Sequence, residues 1–317
     1  MVALSTTDAI EKNSAETLSA SKSEKKKAEK YLAPALYIGP AFLLYTVFFI
    51  WPAVQLIQLS LLEWDGLSPK VFIGLGNYQK LLYDQYFWLS LRHNLSWMLG
   101  AIIVPVFFGL FLAILLSRSA MFGRVFFRTI FFLPQVLSSV TVSIIWGWIY
   151  NPSYGALNSL LTSFGLESLR QGWLANKIFA LPALFLAWSW VHYGFCMVIF
   201  LAALDGIDEV YFDAAKVDGA NRWQQFVHIL LPFIRGPLST VILVTAISAF
   251  QVFDLVFVLT KGGPAYTTLV VPMYMILNAF NFNNVGYGAT IAITLGLLVF
   301  VFSFVFLRVR RTFGEPL

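Results

Sequence analysis

Charge is what this sequence has least of. Only 12% of its 317 residues are Asp, Glu, Lys or Arg, while 59% are hydrophobic and the mean hydropathy is +0.75. A soluble chain carries about 25% charged and about 45–50% apolar residues. A chain this poor in charge cannot cover its surface with polar groups in water, so a soluble globular protein is excluded and a polytopic membrane protein remains. Cysteine is nearly absent as well. Cys196 alone rules out an intramolecular disulfide or a cysteine-based metal cluster, and its apolar surroundings in sequence mark it as an inert packing residue. The histidines, His93, His192 and His228, are scattered. Neither a His-Glu-x-x-His nor a Gly-x-x-x-x-Gly-Lys-Ser/Thr pattern occurs, so no metal site and no nucleotide hydrolysis by this polypeptide are expected. The net charge of +5 comes from bases set between apolar runs rather than gathered in one patch, which speaks against a nucleic-acid partner. No cleavable leader is expected, because residues 1–30 are polar and mixed in charge and the first apolar run opens at Tyr31.

Apolar length and aromatic rings are what the chain does have. Its 31 Phe, 13 Tyr and 10 Trp suit lipid contact and interfacial belts. A helix needs roughly 20 apolar residues to cross the hydrocarbon core. Stretches free of charge place spans near 35–60, at 93–117, within 129–166 ending near Tyr150, at 178–204, from Pro237 to about Thr260 with Asp254 inside it, and at 286–307. The 13 residues 268–280 are too short for a span and read as an interfacial or half-inserted helix. The runs are too long and too uniformly apolar for the alternating strands of a barrel. The expected fold is therefore an all-α membrane protein with six transmembrane helices. Its expected organisation is a cytoplasmic tail at 1–33, a first transmembrane helix at 34–61 and an outer loop at 62–91. A five-helix core at 92–310 comes next, with a cytoplasmic loop at 205–236, and then a tail at 311–317. The lysine-rich first tail is expected to lack fixed structure and to be drawn to anionic headgroups. With both termini inside, fifteen Lys and Arg fall on the cytoplasmic side and six on the outer side, the sign of the positive-inside rule. Pro40, Pro52, Pro105, Pro134 and Pro182 interrupt the spans and predict kinks, whether ordinary ones or kinks beside a translocation path.

The loop at 205–236 is too long for a simple connector and carries five acids and three bases. It reads as two short helices. Asp208 caps the first, from Glu209 to about Lys216, and Asp218-Gly219 marks a turn. Asn221 then starts a second helix, with Gln224 completing a capping-box pattern. Trp223, Phe226, Val227 and Leu230 give that helix an apolar face at helical spacing. Two readings fit: an amphipathic hairpin lying on lipid headgroups, or a docking surface for a soluble partner.

The residues of this loop also carry a family resemblance. Asp213-Ala214-Ala215, then Gly219, nine residues, Ile229, one residue and Leu231-Pro232 resembles the EAA loop of ABC importer permeases at every interval, with Asp in place of the usual Glu. Phe127-Arg128-Thr129 with Phe132-Leu133-Pro134 is similar to segments of the sugar-importer permeases of the maltose and glycerol-3-phosphate type. So are Trp146 with Gly155-Ala156-Leu157-Asn158, and Leu259-Thr260-Lys261-Gly262-Gly263-Pro264 followed by Thr267. The last of these resembles the first of the two permeases found in such systems. The resemblance implies a type I ABC importer permease of MetI-like architecture in a prokaryotic inner membrane. Asp213, Ala214, Ala215, Asp218, Gly219 and Ala220 would seat the loop in a cytoplasmic ATPase, and Ile229, Leu231 and Pro232 would tie it to the fifth span. It implies as partners a second permease in a heterodimer, two ATPase subunits that hold ATP and Mg, and an extracytoplasmic solute-binding protein. This chain itself would bind no cofactor.

Substrate contacts rest on fewer signals. Asp254 is the one acid inside a span, and an intramembrane acid marks function or a paired carboxylate. Gln251, one helical turn earlier, is expected on the same face. Trp190 and Tyr193 in the fourth span could stack on a sugar ring, or serve as packing and lipid anchors. A different class, an ion-coupled carrier or a membrane-embedded enzyme, would show more intramembrane charge or convergent His, Asp or Ser groups.

Overall fold

The computed structural model describes residues 36–117 and 123–312, so the tail at 1–33, Arg118 and residues 313–317 lie outside the described residues. Two compact units make up the chain, 1–58 and 59–317. The described part of the first is the body of α1 (Leu36–Ser60), 25 residues long. A π turn at Thr46–Ile50 ends just before Pro52, whose missing N–H would leave an ordinary turn incomplete.

The second unit opens with a hairpin of β1 (Leu62–Glu63) and β2 (Val71–Phe72), paired antiparallel with Leu62 opposite Phe72. Helices α2 (Gly76–Tyr83), α3 (Gln85–Ser117), α4 (Arg124–Val136), α5 (Ser139–Ile149) and α6 (Ala156–Ser163) come next. Then come α7 (Ala180–Asp205), α8 (Glu209–Val217), α9 (Arg222–Gln225), α10 (Leu231–Phe233) and α11 (Arg235–Phe250). The chain closes with α12 (Asp254–Leu259), α13 (Val271–Ile276) and α14 (Val285–Thr312). Among the described residues five helices are long and apolar enough to cross a membrane, and α4 with α5 makes a sixth if the bent pair is one span. The expected number of spans stands on that condition.

Two spans differ from the sequence expectation. The third is not one helix: α4 and α5 meet at 99°. Pro134 precedes the break, Leu137 is extended, and Ser138 caps the new helix by accepting the Thr141 N–H at 3.2 Å. The fifth span is interrupted as well. Gln251 caps the end of α11, Phe253 departs from helical geometry, and α12 restarts at Asp254. Gln251 and Asp254 therefore do not share one helical face. The segment 268–280 is no span either; its first half packs in the core, with Leu269, Val270, Val271 and Met273 fully buried, while Phe280 at its end is exposed.

Helices α3 and α7 form the axis of this unit and run parallel, with Gly100 against Phe185 and Gly109 against Cys196. A Cβ on Gly109 would lie 2.5 Å from Cys196 Cβ and 2.8 Å from the Met197 nitrogen, so only glycine permits this spacing. Small residues at close crossings are how helices gain contact area in lipid. One apolar cluster, with Phe87, Trp97, Leu184, Phe250 and Ile291, packs around the beginning of α3. A second, with Leu116, Phe200, Leu204, Ile234 and Val241, packs around its other end. The 33 residues of α3 separate these two ends by about 50 Å at 1.5 Å per residue.

Candidate functional site

The hairpin between α7 and α11 is built from local hydrogen bonds. The Val210 N–H donates to Asp208 Oδ1 at 3.0 Å, and Glu209 in the first turn and Lys216 in the last complement the helix dipole. Helix α8 stops at a left-handed Gly219, φ +78°. There the Ala220 N–H reaches back to the Ala215 carbonyl at 2.8 Å and the Gly219 N–H to that of Lys216 at 3.1 Å, a Schellman motif. A reciprocal capping box begins the next helix: Gln224 N–H to Asn221 Oδ1 at 2.9 Å, and Asn221 N–H to Gln224 Oε1 at 2.8 Å. Stop signal and start signal are thus separated only by Ala220. Gln225, 8% exposed, locks the junction by donating its amide to the Ala220 carbonyl at 3.0 Å. Sequence reasoning passes over Gln225, because a lone Gln beside an apolar face looks like surface.

The motif residues divide between surface and anchor. Asp213, Ala214, Asp218 and Gly219 are exposed, and Ala215 and Ala220 half-exposed. Asp213 spends its carboxylate on Lys216 at 2.7 Å, an exposed i,i+3 pair worth at most about 1 kcal/mol. Ala215, Asp218, Gly219, Ala220, His228 and Ile229 border a groove of about 280 Å³. Ile229, Leu231 and Pro232 are half-buried, and the deepest anchors are their neighbours Leu230 and Ile234, which join the cluster of Leu204 and Phe200. Trp223 departs from expectation. It does not share the buried face of Leu230 but stands 70% exposed, stacked on Phe226 at 5.4 Å between ring centroids. The turn Phe226–Leu230 is a π turn, and its extra residue rotates Trp223 out of phase with the helical face that carries Leu230. Val217, 88% exposed, adds to the apolar tip. Arg124 braces the end of α7 through Asp205 at 2.8 Å.

The residues expected along a substrate path lie on α7 and at the α11–α12 break. Asp254 and Gln251 are exposed, and Asp254 makes no ion pair among the described residues. Trp190 is half-buried with its ring edge-on to Trp146 at 5.9 Å, and Tyr193 is half-buried one turn further on. No hydrogen bond joins these four side chains to one another among the described contacts. What does organise the break is Asn94, a residue that a reading based on charge passes over. Its amide donates to the Ala249 and Phe250 carbonyls at 3.2 and 3.3 Å, and its Oδ1 accepts the Val271 N–H at 2.7 Å. His93 beside it donates Nδ1–H to the Leu269 carbonyl at 2.7 Å. Backbone groups freed by non-helical segments at membrane depth need such partners. A polar Asn in an otherwise apolar span is the signal for it.

Membrane-length helices with breaks, a segment buried among them and a capped hairpin at one end fit the membrane subunit of a transport protein. Residues 105–313 match the family of binding-protein-dependent transport system inner membrane components, and the chain belongs to that family. It is a permease subunit of an ABC transporter and not an enzyme. A probable ABC transporter permease of Pyrococcus horikoshii is 36% identical over 267 residues, covering 84% of this chain and 91% of that one. An alpha-glucoside transport system permease of Rhizobium meliloti is 34% identical, covering 84% and 79%. In fold the chain is similar to the crystal structure of a bacterial ABC transporter involved in importing the acidic polysaccharide alginate. The TM-score is 0.81 at 22% identity, over 92% of this chain and 99% of that one.

Proposed function

We propose that this chain forms one half of an alternating-access pathway for a sugar or sugar-like solute, driven through the 205–236 hairpin by a cytoplasmic ATPase. The observation that carries the reading is the hairpin's construction. A helix terminated and restarted around a single residue, mounted on Leu230 and Ile234, can pass a displacement to α7 and α11 without absorbing it. Its exposed tip of Val217 and Trp223 offers apolar contact to a partner, and Asp213, Lys216 and Asp218 offer orientation. In this reading the partner ATPase subunits hold ATP and Mg, a second permease completes the pathway, and an extracytoplasmic binding protein delivers the solute. The sugar class is supported by the similarity to the alpha-glucoside permease together with Trp190 and Tyr193 on α7. Gln251 and Asp254, exposed at the break in α11–α12, are assigned to the path and face the second permease or the solute. The excess of Lys and Arg at the hairpin end supports cytoplasmic termini.

Reconstitution tests the reading. The chain is assembled with its second permease, ATPase and binding protein in liposomes, and solute-stimulated ATP hydrolysis is measured. Gly219→Pro forces φ near −65° where +78° is needed and removes the N–H that bonds Lys216. Stimulation is expected to vanish while the subunit still inserts; full coupling in this variant would overturn the role of the hairpin.

A further inference from the structure

At the other end of α3, about 50 Å from the hairpin by the helical rise, lies an aromatic cleft of about 680 Å³. Its volume falls in the range of about 300–1,000 Å³ that small-molecule sites occupy. Asp84 organises its floor. One carboxylate oxygen caps α3 by accepting the Tyr86 and Phe87 N–H groups at 2.9 and 3.3 Å. The other accepts the hydroxyls of Tyr274 and Tyr287 at 2.6 and 2.5 Å. The carboxylate is thus saturated by donors, and Lys80 Nζ rests over the Tyr287 ring at 4.4 Å. The carboxylate is not presented bare to the cleft, and Lys80 makes no ion pair among the described residues.

What the cleft does present is ring surface. Tyr86 and Tyr266 remain exposed, with centroids 5.0 Å apart and planes inclined at 59°, so they open as a V. Tyr266 is held there at a cost: its φ is +63° and that of Ala265 is +47°, conformations that L residues with a Cβ avoid. The Thr268 hydroxyl on the Gly263 carbonyl at 2.6 Å and the Thr267 hydroxyl on that of Pro264 at 2.8 Å fix the loop in this state. The exposed Gln85 amide at the rim adds donors and an acceptor.

We propose that this cleft binds a pyranose ring of a neutral saccharide. Such a ring has apolar C–H faces, which match a wedge of tyrosine faces, and hydroxyl edges, which match the exposed Gln85 amide. A cation finds no unpaired carboxylate there, because Asp84 is already saturated by donors. The proposal rests on the sugar reading of the pathway and adds a site whose lining does not include Gln251, Asp254, Trp190 or Tyr193. The test uses the complete importer in nanodiscs without its binding protein, with maltose, lactose and trehalose as probes in saturation-transfer NMR, alongside uptake of the same sugars by the full system. Ring C–H signals are expected, with half-saturation raised at least about tenfold in Tyr86→Ala and Tyr266→Ala and retained in Tyr86→Phe. Unchanged binding in both alanine variants would overturn the site, as would variants that weaken only capture of the binding protein, which would make the cleft a docking seat. Uptake of one of these sugars without NMR binding would overturn the cleft and leave the sugar reading standing. If the system neither takes up nor binds any of them, both fall.

Discussion

Asn94 is the side chain that ties the break in the fifth span to α13. It serves three backbone groups, two carbonyls at the end of α11 and one N–H at the start of α13. Leucine is close to it in size but can serve none of them. Each buried group left unpaired costs about 1–3 kcal/mol, so Asn94→Leu is expected to lower the unfolding temperature of the detergent-purified chain by several degrees. An unaltered temperature would show that other groups satisfy the break. Gln225 holds a smaller position of the same kind, and neither residue is conspicuous in the sequence. Their importance comes from partners that are in one case local and in the other far away: Ala220 is five positions from Gln225, whereas Val271 is 177 positions from Asn94. Only the first distance is within reach of local pattern reasoning.

At the scale of elements, the same division decides what could be read in advance. The caps of α8 and α9 involve residues within five positions of each other, and Asp208, Gly219, Asn221 and Gln224 take the places their types predict. The bend between α4 and α5 and the burial of the first half of 268–280 depend on packing between distant helices, and composition cannot encode them. Trp223 leaves the face that helical spacing predicts because a π turn changes the helical period, which a fixed spacing cannot anticipate. Its exposure predicts that Trp223→Ala leaves thermal stability within about 0.5 kcal/mol of wild type while reducing solute-stimulated ATP hydrolysis in the assembled importer. Loss of stability instead would return Trp223 to the core. Two glycines make a matched pair. Gly109→Ala drives a methyl into Cys196 and Met197 and should cost about 1–3 kcal/mol as α3 and α7 part. Gly296→Ala in α14 meets nothing within 4 Å and should be neutral or stabilising by up to about 1 kcal/mol in the isolated chain. Thermal denaturation of both in one detergent separates close packing from helix propensity.

For the whole molecule, the relative direction of the helices is set by contacts. Asp84 and Tyr287 meet at one end, and Gly236 lies near Arg310 at the other. Which end faces the cytoplasm is assigned from charge and is open to direct measurement. Cys196 is buried, so single additions can be labelled without removing it. A membrane-impermeant maleimide applied to intact cells is expected to label Leu67→Cys and to spare Val217→Cys, with the reverse pattern in inverted vesicles; the opposite result would turn the molecule over. The clamp at Asp84 also has a bearing on how the chain is made. Its tyrosine partners are 190 and 203 positions downstream, so during synthesis the carboxylate must wait, half-satisfied, until the final span has emerged. The last elements are therefore the keystone of the earliest ones. A chain released before residue 269 would hold α3 with neither Asp84 nor Asn94 fully engaged, a state that membrane proteases are placed to recognise.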